Sequence, residues 1–136
     1  MILVDSNVVL DVLEPGSPWR EWSQGAFASA LDRSMFVNPI VAAEVGTRFR
    51  SLEELDAALE RLSLPVIEMS LHCAWLAGRA HLEWIRNGGR RGAMLADILI
   101  GAHAVSEGAA VLTRDPRRFR TYFPELELIT PETTDD

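Results

Sequence analysis

Short, wholly apolar runs alternate with stretches of helical spacing, and this alternation constrains the fold more than any other feature. The first run is Ile2-Leu3-Val4, and it stops at a carboxylate, Asp5. A run that is apolar at every position is typical of a strand covered on both faces in a parallel sheet. Strands are predicted over residues 2–4, 35–38, 65–67, 110–113 and 126–129. The sequence therefore predicts an α/β fold with a mainly parallel sheet of about five strands.

Helix signals fill the segments between these runs. The first predicted helix carries Val8, Val9, Val12 and Leu13 and ends at the Pro-Gly pair of residues 15–16. Ser17-Pro18 opens a second, predicted to reach about residue 33. The residues of this helix predicted to face the core are Trp19, Trp22, Phe27 and Ala30. Further helices are predicted from Pro39, over 51–62, 70–85 and 94–107, and around Phe119, with a glycine-rich loop over 86–92.

Length and composition indicate one domain. A chain of 136 residues has the length of a single domain, which we place at residues 1–131 with an acidic tail over 132–136. No apolar run is long enough to span a bilayer, and the start lacks the basic segment of a secretory signal. We therefore expect a cytoplasmic protein without membrane contact. The single cysteine, Cys73, excludes a disulfide framework and a multi-cysteine zinc site, and it is expected to be buried.

The net charge of −7 argues against a generic nucleic-acid binder, because such proteins neutralise phosphates with Lys and Arg. It does not exclude a nuclease. An enzyme that holds divalent ions needs clustered acids, and the ions themselves supply positive charge where the phosphate sits. All thirteen basic residues are Arg.

Four acids fall where the ligand site of a parallel sheet is expected, beyond the carboxyl ends of the strands. Asp5 ends the first strand, and Asp115 follows the fourth by a few residues. Glu44 lies in the helix that begins just after the second strand. Asp97 is the only acid in the apolar stretch of residues 93–105, where a carboxylate needs a partner.

Carboxylates that gather without a Cys or His ligand set suit Mg²⁺ or Mn²⁺ better than Zn²⁺. Such ions would hold a phosphodiester, activate water and stabilise the leaving oxygen. Three of the four acids also have a simpler interpretation: Asp5 and Asp115 as helix N-caps, Glu44 as a solvated helix residue. Because four acids share one sheet edge, a common metal site is the preferred hypothesis.

Other chemistries find less support. His103 does not share a helix face with Asp97, His72 does not share one with His81, and structural roles are expected for all three histidines. No phosphate-binding glycine loop or nucleophile elbow is present. Phosphoaspartyl transfer from Asp5 is disfavoured, because Asn7 stands where a dehalogenase-type phosphatase has a second Asp and the chain has no Lys.

The chain resembles the PIN-domain nucleases, and specifically the VapC toxins of bacterial toxin–antitoxin pairs, over about residues 1–131. The segments that carry this resemblance are MILVDSN, NPIVAAEV, LADILIGAHA and LTRDPRRFRTYFPELELITP. The last is the most specific, since Thr113-Arg114-Asp115 precedes an aromatic-bearing short helix and a final strand in the family's order.

The resemblance implies a three-layer α/β/α sandwich and an Mg²⁺- or Mn²⁺-dependent ribonuclease that acts as a toxin. It carries the acidic pocket over onto Asp5, Glu44, Asp97 and Asp115, with Asp5 and Asp97 as the usual metal ligands. Polar residues that surround the ions are implied at Ser6, Asn7 and Thr113. The implied partners are RNA, a small VapB-type antitoxin that inserts a basic side chain among the acids, and a second copy in a homodimer.

Three arginines, Arg91, Arg114 and Arg117, are candidates to contact the RNA backbone, with solvated surface as the alternative for each. Attack by water predicts products with a 5′-phosphate and a 3′-hydroxyl. The competing hypothesis is a non-catalytic domain of the same fold that binds protein or RNA. A nuclease site should respond to Mn²⁺ by a raised melting temperature, whereas a mere binding module should not.

Overall fold

The computed structural model describes residues 1–90, 92 and 94–134. Within them a four-stranded parallel sheet is formed by β1 (Ile2–Val4), β2 (Met35–Phe36), β3 (Ala110–Leu112) and β4 (Leu128–Ile129). Their order across the sheet is β2-β1-β3-β4. β1 and β3 are central, and every residue of both is buried. All four carboxyl ends meet at one edge, where ligands of such sheets bind.

Helices cover both faces of this sheet. They are α1 (Ser6–Leu13), α2 (Arg20–Ser29), α3 (Pro39–Gly46), α4 (Leu52–Arg61), α5 (Leu71–Arg86), α6 (Leu95–Glu107), α7 (Arg117–Arg120) and α8 (Pro131–Thr134). The chain crosses from β1 to β2 in one direction and from β2 to β3 in the other. Because crossovers between parallel strands are right-handed, α1 and α2 lie on one face and α3 to α6 on the opposite face. The predicted α/β fold with helices on both sides of a parallel sheet is confirmed.

Three of the predicted helix starts, those of α3, α4 and α5, agree with the observed caps. The side chain of Asn38 accepts a hydrogen bond from the Val41 N–H at 2.9 Å, and Pro39 is the first residue of α3. The Ser51 hydroxyl accepts from the Glu54 N–H at 3.1 Å, and Ser70 caps α5 in the same way. Each side chain satisfies a backbone donor that the first turn of a helix leaves without an internal partner.

The predicted strand over residues 65–67 is wrong in extent. Val66 pairs with Val37 through one isolated parallel bridge, with the Ile67 N–H donating to the Val37 carbonyl at 2.9 Å. Val66 and Ile67 are exposed, so this segment lacks the burial on both faces that its apolar composition indicated. β2 and β4 are also shorter than predicted, at Met35–Phe36 and Leu128–Ile129.

The second helix is shorter than predicted, since α2 begins at Arg20 rather than near Ser17. The Ser17 hydroxyl donates to Asp11 at 2.7 Å and accepts from the Trp19 N–H at 3.2 Å, both outside the helix. Trp19 consequently lies before the helix and is exposed, which corrects its predicted core position. Ser23 and Ala26 are the buried residues of α2.

Two further features concern the predicted tail and the cysteine. Residues 131–134 form the short helix α8, so residues 132–134 of the predicted tail are helical, and Arg120 Nη2 donates to Glu132 at 2.9 Å. Residues 135–136 of that tail lie outside the described residues. Cys73 is a free thiol and is fully buried, so the predicted burial of the single cysteine is confirmed. None of the helices in the described residues is both long and apolar enough to cross a membrane.

Candidate active site

Asp5 is placed by the central strand. It follows β1 directly, its N–H donates to the Leu112 carbonyl of the neighbouring strand at 2.9 Å, and its side chain is fully buried. One carboxylate oxygen, Oδ1, accepts from the Ser6 N–H at 2.8 Å and so caps α1. The other, Oδ2, accepts from the Thr113 hydroxyl at 2.8 Å. Asp5 therefore caps a helix and also presents a second oxygen toward the sheet edge.

The other three acids reach the same edge from different elements. Glu44 lies on α3, and its Oε1 accepts from the Ser6 hydroxyl at 3.3 Å. Asp97 is the third residue of α6, with a side chain that is 18 % exposed. Asp115 lies in the turn after β3, and no side chain caps the short helix α7 that follows. The helix-capping interpretation of Asp115 is therefore not supported by the observed contacts.

A polar frame orients Asp5 and the turn that carries Asp115. The Thr113 hydroxyl donates to Asp5 and accepts from the Asp115 N–H at 3.0 Å. Asn7 spans the same turn, because its Oδ1 accepts from the Arg114 N–H at 3.3 Å and its Nδ2 lies 3.5 Å from Thr113 Oγ1. The polar residues singled out from the sequence thus contact the acids or their turn.

Arg118 joins the acids and was not among the candidate site residues predicted from the sequence. Its Nη2 donates to Asp5 Oδ2, its Nη1 donates to Asp97 Oδ1 at 2.6 Å, and its Nε lies 3.9 Å from Asp115 Oδ2. The only signal in the sequence is its place in the arginine cluster of residues 114–120. Three carboxylates from three elements therefore surround one guanidinium.

The electrostatics of the cluster appear in two pKa shifts. Burial, followed by the charges of Glu44 and Asp115, raises the pKa of Asp97 from 3.8 to about 6. Arg118 at 2.6 Å opposes that shift by favouring the charged carboxylate. Burial lowers the pKa of Arg118 itself, although a guanidinium stays charged at neutral pH. The negatively charged carboxylates of Asp97, Glu44 and Asp115 thus lie close together in a partly buried space.

The donor chemistry of this cluster fits a hard divalent cation. Carboxylate oxygens are the ligands that Mg²⁺ and Mn²⁺ prefer, and Asp115 Oδ1 is buried without a hydrogen bond. Within the described residues, however, no three His, Cys, Asp or Glu side chains are grouped as ligands of one metal ion. The guanidinium of Arg118 lies among the carboxylates instead, so the cluster already binds one cation.

The predicted RNA-contacting arginines differ in their surroundings. Arg114 donates to the buried Asp11 through Nε at 2.5 Å and Nη2 at 3.2 Å, so its guanidinium is occupied. The side chain of Arg117 is 87 % exposed, and its Nε lies 3.5 Å from Asp115 Oδ1. Arg91 lies outside the described residues. Among the two that the structure describes, Arg117 is the more available to a ligand.

Histidine contributes nothing to this cluster. His103 is fully buried on α6, packs edge-to-face on Phe36 with ring centroids 5.6 Å apart, and lies 3.7 Å from Glu107. Burial lowers its pKa, so the neutral ring is favoured. His81 Nε2 accepts from the Gly92 N–H at 3.3 Å. Both contacts are of the structural kind expected from the sequence.

The sequence that forms these elements and carries these acids matches a known family. A family comparison matches the PIN domain over residues 2–124. The chain belongs to the PIN-domain family. A comparison of this PIN domain with curated proteins found no match.

Solved structures share the fold of this PIN domain over nearly its whole length. FitAcB from Neisseria gonorrhoeae has a TM-score of 0.73 at 20 % identity, covering 97 % of this chain and 99 % of that one. VapBC2 from Rickettsia felis, bound to a DNA fragment from its promoter, also gives 0.73, at 21 % identity and with 96 % and 98 % covered. DNA-bound VapBC from Salmonella typhimurium gives 0.71 at 23 % identity, with 95 % and 96 % covered. These TM-scores show a common fold, and at identities this low they show the fold alone.

Proposed function

We propose that this PIN domain is a divalent-metal-dependent endoribonuclease and acts as the toxin, of VapC type, of a toxin–antitoxin pair. The observation that carries the proposal is the meeting of Asp5, Asp97 and Asp115 around one cation at the carboxyl edge of the sheet. Helix capping explains only one oxygen of Asp5. A cation-binding role explains why carboxylates from three separate elements share this space.

Asp5 and Asp97 are the proposed principal metal ligands, with Asp115 and Glu44 completing the acidic set. Ser6 and Thr113 hold the carboxylates of Glu44 and Asp5 by hydrogen bonds at 3.3 and 2.8 Å, which restricts their rotation. When bound, Mg²⁺ or Mn²⁺ activates a water molecule for attack on the phosphodiester and stabilises the leaving oxygen. Attack by water with the 3′ oxygen as the leaving group would yield a 5′-phosphate and a 3′-hydroxyl.

The protein residues bind and orient the RNA. The exposed Arg117 guanidinium, beside Asp115, is the proposed contact to the phosphate backbone next to the cleaved bond. Arg114 acts on the substrate only indirectly, because Asp11 holds its guanidinium.

The proposed partner is a small VapB-type antitoxin, and the proposed assembly is a homodimer of the toxin bound to it. The support is the family and the likeness to structures described as VapBC and as a toxin–antitoxin complex from Klebsiella pneumoniae. A site of action in the cytoplasm follows from the proposed substrate, cellular RNA.

The test is RNA cleavage by the purified protein with Mn²⁺ and by its Asp5→Asn variant. Asn also caps helices well, so the variant keeps the α1 cap while it loses the charge. We expect its cleavage rate to fall at least about 100-fold, the upper end of the cost of disturbing a metal ligand's supporting shell. Asp32→Asn, an exposed change of the same chemistry, should cleave at the wild-type rate.

Sequencing the new 5′ ends identifies the cleaved bonds, and melting curves establish that both variants are folded. Equal cleavage by wild type and Asp5→Asn, or undiminished cleavage by wild type in EDTA, contradicts the proposed nuclease site. The non-catalytic alternative is supported if the folded wild-type protein does not cleave RNA and its melting temperature does not change when Mn²⁺ is added.

A further inference from the structure

Arg118 occupies the space between the acids in the way that a bound cation would. Its guanidinium donates to Asp5 and Asp97 and lies 3.9 Å from Asp115. Its side chain is 23 % exposed, and the buried Nε atom makes no hydrogen bond. Carboxylates so close together repel one another unless a positive charge lies between them. Arg118 supplies that charge from within the chain.

The backbone of Arg118 is fixed while its side chain is long. The neighbouring Phe119 is fully buried in the core and anchors α7. The Arg118 guanidinium also lies 5.2 Å from the centre of the Phe119 ring. A side chain on a fixed helix can leave the acids by changing rotamers, without movement of the sheet or of α6.

A divalent ion and the guanidinium of Arg118 compete for one carboxylate oxygen of Asp5. Arg118 engages Oδ2 of Asp5, whose Oδ1 is already used by the α1 cap, and Oδ1 of Asp97. Asp5 Oδ2 also accepts from the Thr113 hydroxyl, so an ion that binds this oxygen must replace the contact made by Arg118. The cost of breaking that contact reduces the apparent affinity for the ion.

We propose that Arg118 is the resident counter-ion of the acid cluster and that a divalent ion binds by displacing its guanidinium. The residue sets how tightly the site holds metal, and it stabilises the four-acid cluster when no metal is bound. This inference deepens the proposed nuclease function and depends on its metal site. It makes a distinctive prediction, because loss of Arg118 should strengthen metal binding while a purely structural residue would weaken it when lost.

The experiment measures Mn²⁺ binding calorimetrically to the whole chain, without RNA, for wild type, Arg118→Gln and Arg118→Lys. We expect Arg118→Gln to bind Mn²⁺ about tenfold more tightly or better, the fold-change expected for one charge-assisted hydrogen bond. Arg118→Lys keeps the charge but not the forked donors, so its affinity should lie between the two. Arg120→Gln, a change of the same kind at a half-exposed position on α7, should match wild type.

Melting temperatures give a second measurement on the same proteins. In EDTA, Arg118→Gln should melt below wild type because its carboxylates lack their counter-ion, and Mn²⁺ should raise its melting temperature more than that of wild type. If Arg118→Gln does not fold without metal, Arg118→Lys supplies the comparison, with tighter binding than wild type still expected.

The outcomes separate the two proposals. If wild type and the Arg118 variants bind Mn²⁺ equally, or the variants bind it more weakly, Arg118 is not a displaceable counter-ion, while the nuclease proposal stands. If none of the proteins binds Mn²⁺, both the counter-ion and the proposed metal site are wrong.

Discussion

Asp97 is the residue whose protonation the fold changes most clearly among the acids of the cluster. Its pKa is raised from 3.8 to about 6, chiefly by burial. The folded state therefore binds this proton more tightly than the unfolded chain does. It follows that the stability contributed by Asp97 is greatest below about pH 4 and is lost as the pH rises to about 6.

We predict that Asp97→Asn, which cannot titrate, gains stability relative to wild type as the pH rises. Between about pH 4 and about pH 7, the free energy of unfolding of Asp97→Asn minus that of wild type should increase by up to about 3 kcal/mol. Urea unfolding in EDTA at both pH values measures it. A shift in the opposite direction would mean that the Arg118 ion pair outweighs burial and lowers the pKa of Asp97. For the exposed Asp32→Asn, we expect no comparable shift.

Among individual residues, the acids of the cluster were easier to predict from the sequence than Arg118, the residue that pairs with them. Asp5 and Asp97 stood out because a charge interrupts an apolar pattern. Arg118 did not, since it is one of four arginines within seven residues and nothing local distinguishes it from the exposed Arg117. Only the packing of α7 through Phe119 decides which arginine faces the acids.

At the scale of elements, α1 and the turn after β3 are tied by a buried ion pair. Asp11 of α1 is 4 % exposed and accepts two hydrogen bonds from Arg114, at 2.5 and 3.2 Å. It also accepts from the hydroxyls of Ser17 at 2.7 Å and Ser23 at 2.9 Å. The pair connects the loop before α2 to the turn that carries Thr113 and the acid after it.

We predict that Asp11→Asn lowers the free energy of unfolding by about 3 kcal/mol, because it leaves Arg114 partly buried without its counter-charge. This is the low end of the usual cost, since the Arg114 side chain is 28 % exposed. Chemical denaturation measures the change. Asp56→Asn on the exposed face of α4 is the matched control and should stay within about 0.5 kcal/mol of wild type. A similarly small effect of Asp11→Asn would show that the pair adds little.

The packing of α6 depends on a close approach at Gly101. A Cβ atom there would lie 2.5 Å from two ring carbons of Phe123, which is itself buried. We predict that Gly101→Ala destabilises the protein by about 1–3 kcal/mol through overpacking. Gly78→Ala on the exposed face of α5 meets no atom within 4 Å and should stabilise by up to about 1 kcal/mol. If both variants shift the melting temperature upward, the ring moves aside easily and the approach is not a constraint.

The starts of α3, α4 and α5 were predictable because their caps depend on residues close together in the sequence. Asn38, Ser51 and Ser70 each accept from a backbone N–H three residues ahead, which a short sequence window contains. The segment around Val66 was not predictable in this way. Whether an apolar triplet becomes a buried strand depends on what packs against it, and here the edge beside Val37 leaves Val66 46 % exposed.

At the scale of the whole molecule, a net charge of −7 opposes any approach to a polyanion. Without a metal ion, the acid cluster adds repulsion at the place where the proposed function requires a phosphodiester to bind, and the Arg118 guanidinium offsets only part of this repulsion. Divalent ions on the carboxylates would reverse the local sign of the charge. RNA binding should therefore depend on the ion as strongly as cleavage does.

We predict that this PIN domain does not measurably bind a labelled RNA oligonucleotide in EDTA and does bind it with Mn²⁺, before the oligonucleotide is cut. Fluorescence anisotropy of the labelled oligonucleotide measures both states at one ionic strength, because the affinity for RNA depends on salt. Asp32→Asn also removes one negative charge but leaves the acid cluster intact, so it should keep the dependence on Mn²⁺. Asp5→Asn should lose most of it. Equal binding in EDTA and in Mn²⁺ would show that the surface outside the cluster recognises RNA, and the acids would then need another explanation.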